Sequence, residues 1–391
     1  MVQLPYLRDA FLLDPGITFL NHGSFGACPR PVFEVYQRWQ RELERQPVEF
    51  LSRRIRDLLA EARQPLAALV GCDPSDLVYV TNATTAVNAV ARSLARTLSL
   101  GNGDEVLTTD HEYGAAVRAW QFVCRHSGAR LVQQPLPVPV AGPEEAAAAL
   151  WAGVSERTRV IFLSHITSPT ALVLPVAEIC RRARAAGIVT VIDGAHALGQ
   201  IGLDMQAVDA DFYTANAHKW LLAPKGCAFL YARPDRQLLL DPLVVGWGWE
   251  SDRPHLSPFQ DAFEWPGTFD PSAYLSTPAA IRFQQEHDWP GVRAECRALL
   301  DDLGRRIVDL TGLPPLCADE RGRTAQMLSL PLPAAWGEPV QLMARLREEF
   351  HIEVPVLVWG GQHLIRVSIQ AYNGTEDGER LLAALASLKR G

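Results

Sequence analysis

A lysine between two apolar segments can do chemistry that a solvated lysine cannot. Lys219 lies in TANAHKWLLAPKGCAFLYAR, Thr214 to Arg233, with VDADFYTA before it and CAFLYA after it. At the edge of a buried strand an ammonium group is desolvated, gives up its proton more easily and becomes a nucleophile. The alternative is a surface lysine whose stem covers apolar ground while its head stays in water. The rest of the chain decides between them.

Four more stretches bear on that choice. In TNATTAVNAV, Thr81, Asn82, Thr84 and Thr85 stand between a strand and a helix, where hydroxyls and free N–H groups make an anion site or simply cap the helix. The stretch has neither GxGxxG nor GxxxxGK[ST], so it carries no dinucleotide or nucleoside-triphosphate fingerprint. In DGAHALGQ, Asp193 follows the apolar run VTVI. A carboxylate there is costly unless it meets a cation or caps the next turn. DHEYGA offers His111 and Tyr113, either of which could stack on a planar ring. SHITSPTA offers His165 and Ser168, residues that are more often structural than catalytic.

The elements that must position these groups follow a regular alternation. DLVYVT (76–81), DEVLTTD (104–110), ARLVQQPL, TRVIFLSHI (158–166) and IVTVIDGAH (188–196) read as strands. TAVNAVARSLART (85–97), AAVRAWQFVCRHSG (115–128), PEEAAAALWAGV and VAEICRRARAAG (176–187) read as helices between them. Such alternation predicts βαβ units and a mostly parallel sheet. VIFLS and VTVID are apolar throughout, as strands buried on both faces are. Ligands of open α/β sheets bind beyond the carboxyl ends of the strands, which is where every group named above falls. After about residue 240 comes an irregular stretch, WGWESDRPHLSPFQDAFEWPGTFDPSAY, rich in aromatics, Pro and Gly. Helical sequence follows in TPAAIRFQQEHD and GVRAECRALLDDLGRRIVDL. The tail reads strand, helix, strand, helix, a small α+β domain.

Composition sets the limits. The chain has 391 residues, 48% hydrophobic and 21% charged, with a net charge of -7. That is ordinary for a globular enzyme of more than one domain, and the acidity gives no electrostatic case for nucleic acid. Nothing approaches the ~18 apolar residues of a membrane span, and the start has no signal-peptide pattern. The seven cysteines form no CxxC pair, which points to a reduced, cytoplasmic protein with free thiols. The ten histidines show no HExxH or other metal-ligand spacing, so no metal is expected.

An anion cradle, a carboxylate for a protonated ring nitrogen, a stacking group and an amine nucleophile are together what pyridoxal 5′-phosphate requires. Their order and spacing resemble the class V aminotransferase family of fold type I, in particular its isopenicillin N epimerase-like branch. The resemblance runs from FLNHGSFGACP (19–29) to IRVSIQAYN (365–373) and is most specific at DGAHALG followed by HKW. It implies an α/β fold with a mostly parallel seven-stranded sheet flanked by helices, plus a small α+β C-terminal domain. The implied division is an N-terminal segment 1–20 at the active-site rim, a large cofactor domain 21–275 and a small domain 276–391. Residue by residue, it implies that Lys219 is the Schiff-base lysine and Asp193 the partner of the ring nitrogen. His196 and Ser168 match positions near the cofactor's phenolic oxygen. Ala83, Thr84 and Thr85 match the phosphate loop, with Asn216 and His218 beside it. His111 matches the stacking histidine, with Tyr113 as competitor. Thr268, in WPGTFD, matches a phosphate contact from the neighbouring subunit, which implies a homodimer with active sites at the interface. Arg366 matches the arginine for the substrate α-carboxylate, and Asn21 and His22 are expected at the substrate.

Two departures narrow the activity. EVPVLVWGGQHLIR, before Arg366, lacks the cysteine that desulfurases carry on a loop there, and Cys317 lies well upstream. Ser168 replaces an asparagine common in the relatives. Epimerisation at Cα is the expected activity, with Lys219 serving one face and His111, Tyr113 or water the other; β-elimination by a C–S lyase is the alternative, then transamination. A non-catalytic cofactor-binding protein gains nothing from a chain that keeps both Lys219 and Asp193. The aromatics near 247–265, with Arg253, suggest an extended or aromatic amino acid derivative as substrate.

Overall fold

The computed structural model describes residues 4–252, 257–324 and 326–389. Arg253, expected at the pocket mouth, lies outside them. Seven strands form the main sheet: β1 (Leu77–Val80), β2 (Glu105–Thr109), β3 (Arg130–Gln134), β4 (Thr158–Ser164), β5 (Val189–Asp193), β6 (Phe212–Asn216) and β7 (Ala228–Ala232). Their order is β1-β7-β6-β5-β4-β2-β3. The pairs from β3 to β6 are parallel, and β7 runs antiparallel to both β6 and β1. The carboxyl ends of β1, β2, β4, β5 and β6 therefore open on one edge, joined there by the amino end of β7.

Side chains alternate between two cores, as the period of a strand requires. Val78, Val106, Phe162, Val191, Phe212 and Leu230 face one layer of helices, which includes Ala83–Thr97 and Gly114–Ser127. Tyr79, Leu107, Ile161, Ile192, Tyr213 and Phe229 face the other, which includes Pro143–Trp151 and Val176–Ala185. Strands β5, β6 and β7 are buried at every position, which explains their mostly apolar sequence. The result is the expected three-layer α/β fold with a mostly parallel seven-stranded sheet.

The C-terminal part has its own antiparallel sheet, in the order Val356–Trp359, Gln362–Ser368, Met327–Leu332. The helices Trp289–Thr311, Pro339–Phe350 and Thr375–Leu388 pack with it. Near the N-terminus, Thr18–Phe19 pairs in parallel with Ile352–Glu353. The chain then makes a single helical turn, His22–Phe25, and this Asn21–Gly26 loop bridges the two parts, bonding the Lys219 carbonyl on one side and Ser368 and Tyr372 on the other. No helix among the described residues is long and apolar enough to cross a membrane.

Candidate active site

The strand tips enclose a cavity of about 340 Å³. Its lining includes Thr81–Thr84 after β1, Tyr113 after β2, Ser164, Ile166 and Ser168 from β4 onward, Asp193 and His196 after β5, and Asn216, His218 and Lys219 after β6. Ser24 and Phe25 close it from the N-terminal loop.

Lys219 sits in the tight return between β6 and β7. Burial lowers its ammonium pKa to about 7, helped by the positive charge of Arg366 and opposed by Asp193. The nucleophile reading of the sequence therefore has a physical basis: near neutral pH much of this amine is unprotonated. Its Nζ lies 3.2 Å from His196 Nε2. Three contacts fix the turn around it. His22 Nε2 lies 3.0 Å from the Lys219 carbonyl, which accepts its hydrogen. His22 Nδ1 meets Tyr372 Oη at 2.9 Å. Gly26, at φ 71°, lies against the His218 carbonyl, where an added Cβ would come within 2.1 Å. Only glycine fits that approach.

Asp193 ends β5, 4% exposed. Burial raises its pKa, against the Ala195 N–H that its Oδ1 accepts at 2.9 Å and the charge of Lys219. No salt-bridge partner reaches it among the described residues, so a cationic N–H within the cavity would satisfy it.

The anion cradle is built from the start of the Ala83–Thr97 helix. Asn82 caps that helix, accepting the Thr85 N–H at 2.8 Å. The Ala83 N–H goes instead to Asn216 Oδ1 at 2.9 Å, which turns the Asn216 amide donors to the other side. Thr84 is exposed to the cavity. His218 Nδ1 meets the Cys227 carbonyl at 3.0 Å, and burial lowers its pKa to about 4.

Arg366 is the other cationic group of the site. It is 5% exposed, and burial lowers its pKa to about 10. Nη1 donates to the Ser168 carbonyl at 2.7 Å and to Ser168 Oγ at 3.0 Å; Nη2 donates to Ser24 Oγ at 3.1 Å. Nε has no hydrogen-bond partner among the described residues. A buried guanidinium held by hydroxyls and a carbonyl, with no carboxylate bonded to it among the described residues, is suited to binding an anion.

The structure thus gathers Lys219, Asp193, His196, Ala83, Thr84, Asn216, His218, Ser168 and Tyr113 around one cavity, with Arg366 and Thr85 directly behind its wall. Four other expected residues stand apart from the lining. His111 is fully buried, its Nδ1 2.8 Å from Thr170 Oγ1 and its ring 4.2 Å from that of Trp359, whereas Tyr113 is 48% exposed on the cavity wall. His22 is fully buried against Lys219 and Tyr372 rather than open to the cavity, and Asn21 donates to Glu353 Oε1 at 3.1 Å. Thr268 is exposed and outside the cavity of its own chain. Ser24, Phe25 and Ser164 were not anticipated. Ser164 is tied to a buried carboxyl, that of Glu112, which also accepts from Thr109 Oγ1 at 2.7 Å and whose pKa burial raises to about 7. The sequence signal for Ser24 was its place in LNHGSFG.

The class-V aminotransferase family model matches residues 29–381. Isopenicillin N epimerase of Streptomyces clavuligerus is 38% identical, covering 97% of each chain. A putative L-cysteine desulfhydrase of Oryza sativa subsp. japonica is 30% identical over 96% of this chain and 84% of its own. Among solved structures, the cystine C–S lyase C-DES in complex with cysteine persulfide aligns with a TM-score of 0.81 at 25% identity, over 98% of this chain and 99% of that one.

Proposed function

The chain belongs to the class V aminotransferase family, and from that premise we propose that it is an epimerase or racemase acting at Cα of an amino acid or amino-acid-derived substrate. It is a pyridoxal 5′-phosphate enzyme of the isomerase or lyase kind. The residues present fit that cofactor. Lys219 offers an amine that is largely neutral near pH 7. Asp193 is a buried carboxylate without a cation, and the start of the Ala83–Thr97 helix, Thr84, the Asn216 amide and His218 form a cradle for its phosphate. When bound, the cofactor supplies an electron sink for charge that develops at Cα.

The chain's own groups supply the rest. Arg366 holds the substrate carboxylate, for which its Nε–H is vacant. Asp193 keeps a facing N–H protonated by its charge. Lys219 takes or returns the Cα proton on its face. The observation that carries the epimerase reading is a second acid–base group on the same cavity: Tyr113 reaches it from β2, while Lys219 reaches it from β6. A proton removed on one side can be replaced from the other. No cysteine among the described residues lines the cavity. The segment before Arg366 is a tight hairpin, turning at Gly360 and Gly361 with φ of 54° and 79°, which leaves no loop to bring a thiol inward. This speaks against a persulfide-forming desulfurase.

β-Elimination by a C–S lyase is the second reading, supported by the likeness to L-cysteine desulfhydrases. A homodimer fits both readings: Leu238, Val245 and Trp247 are largely exposed on the segment leading toward Thr268, an apolar surface of the kind that partners cover. The deciding experiment incubates the holoenzyme with a panel of L-amino acids in D₂O. Cα deuterium in both enantiomers supports the epimerase. Pyruvate and sulfide from cysteine, without a D-enantiomer, would replace it with the lyase.

A further inference from the structure

Trp220, next to the reacting lysine, is fully buried. An indole offers one donor and no acceptor. Its Nε1–H points to His196 Nδ1 at 3.3 Å. Nδ1 must therefore be the accepting nitrogen, and the neutral ring carries its hydrogen on Nε2. That Nε2 is the atom 3.2 Å from Lys219 Nζ.

We propose that Trp220 is a positioning residue that locks His196 in the Nε2–H tautomer and so selects the neutral, nucleophilic form of Lys219 before the cofactor arrives. An Nε2–H can donate to an amine, which has a lone pair, but not to an ammonium, which has none. The opposite tautomer would present a lone pair to Nζ and stabilise the ammonium instead. One hydrogen on one ring nitrogen thus sets the sign of the interaction. The same Nε2–H remains available as a donor to an anionic oxygen of a ligand in the cavity.

The indole is held in the orientation this needs. The His22 ring lies against it, with centroids 4.8 Å apart, and the Trp220 main-chain carbonyl accepts from Gln284 Nε2 at 2.8 Å. The charged and titratable groups facing the pair are Arg366 from the C-terminal sheet, His22 from the N-terminal loop, His218 from the same turn and Asp193 from β5. Arg366 works against the ammonium and Asp193 for it. Trp220 acts on neither charge. It acts by removing the acceptor that an ammonium would need.

The inference rests on Lys219 being the reacting amine, and its test separates the two. In cofactor-free protein labelled with ¹⁵N-histidine, the ring shifts of His196, identified by their loss in His196→Gln, report its tautomer. The pH dependence of pyridoxal phosphate capture, read as a borohydride-reducible band, reports the Lys219 inflection. Wild type is expected to show the Nε2–H form. Two replacements remove the indole N–H: Trp220→Phe, and benzothienylalanine at 220, which keeps the bicyclic shape should the smaller ring fail to fold. Both are expected to lose the tautomer preference and to move the inflection up by about one pH unit, which slows capture at pH 7 about fivefold. An unchanged tautomer or an unmoved inflection in the benzothienylalanine protein overturns the proposal. A wild type that captures no cofactor would instead sink the reading of Lys219, and the ¹⁵N shifts would still decide the tautomer.

Discussion

At the Arg366 side of the cavity the positive charge is permanent, buried and held by Ser24 and Ser168. At the other side, where β1 runs into the Ala83–Thr97 helix, no arginine among the described residues lines the cavity, and the cations whose charge acts on His218 are Lys219 and Lys225. The donors there are the Thr84 N–H and hydroxyl and the Asn216 amide, beside a histidine whose pKa is held at about 4 and whose Nδ1 hydrogen goes to the Cys227 carbonyl. The difference suits two kinds of anion. A substrate that comes and goes must find its counter-charge ready, and a guanidinium offers it at every working pH. A resident phosphate, once bound, is served by N–H groups and a helix N-terminus that cost little to leave empty.

The strongest way to break this comparison is to remove the permanent charge. Arg366→Ala should lower kcat/KM by about 10²–10³-fold, the scale of losing one partner of a buried charged pair. Cofactor retention should stay near wild type. Arg366→Lys should recover little, because a point charge does not replace a fork. Steady-state kinetics beside the visible cofactor spectrum read both, and equal loss of cofactor would erase the distinction between the two sides.

Asp193→Asn tests the ground between them. The amide cannot hold a facing N–H protonated, so turnover should fall by about 10²-fold, within the range for deleting an electrostatic stabiliser. Some cofactor should remain bound. Near-normal turnover would mean that another acid, for which Glu112 behind Ser164 is placed, takes over the role.

How much of this could be read from the sequence follows from how local each feature is. Strand tips were legible because β4, β5 and β6 are short apolar runs that each end in polar residues. Lys219 and Asp193 were legible for the same reason. The Asn21–Gly26 loop was not, because its partners Lys219, Ser368 and Tyr372 lie hundreds of residues away. Its histidine was expected at the substrate and instead supports the lysine main chain. His111 and Tyr113 are two residues apart, and only the fold shows that Tyr113 reaches the cavity wall while His111 turns away against Trp359. The helices Arg30–Arg45 and Ile55–Val70 do not alternate with strands, so the βαβ rhythm gave no hint of them.

Weaker perturbations sharpen the cradle. Asn82→Ala removes the cap of the Ala83–Thr97 helix, worth about 1 kcal/mol, and should weaken cofactor affinity about fivefold while leaving the substrate KM unchanged. Thr268→Val asks whether a neighbouring subunit completes the cradle. Its cofactor retention should fall, and more so on dilution, since a ligand that bridges two chains is linked to their association. Retention that is independent of protein concentration, in a variant that matches wild type, would assign the cradle to one chain.

The smallest expected effect concerns whether the cradle makes its own charge on demand. His218 gives its Nδ1 hydrogen to the Cys227 carbonyl. In the neutral ring Nε2 is then a lone pair, which repels a phosphate oxygen. A proton on Nε2 turns it into a donor, and a bound dianion would favour that form and raise the pKa from about 4. The sign follows from linkage: a ligand that raises a pKa binds more tightly as pH falls through the raised value toward the free one. Lys219 also titrates in this range, so the measurement belongs in Lys219→Ala, where binding is not covalent. Pyridoxal without its phosphate serves as the reference, and pH 8 to 6.5 stays above the second phosphate pKa of about 6. The affinity ratio of pyridoxal phosphate to pyridoxal should rise as pH falls, by less than the tenfold per pH unit, roughly, that one proton allows. Adding His218→Gln should flatten that slope. A ratio already constant in Lys219→Ala would mean that His218 stays neutral, and that N–H groups and the helix terminus hold the phosphate without a charged side chain.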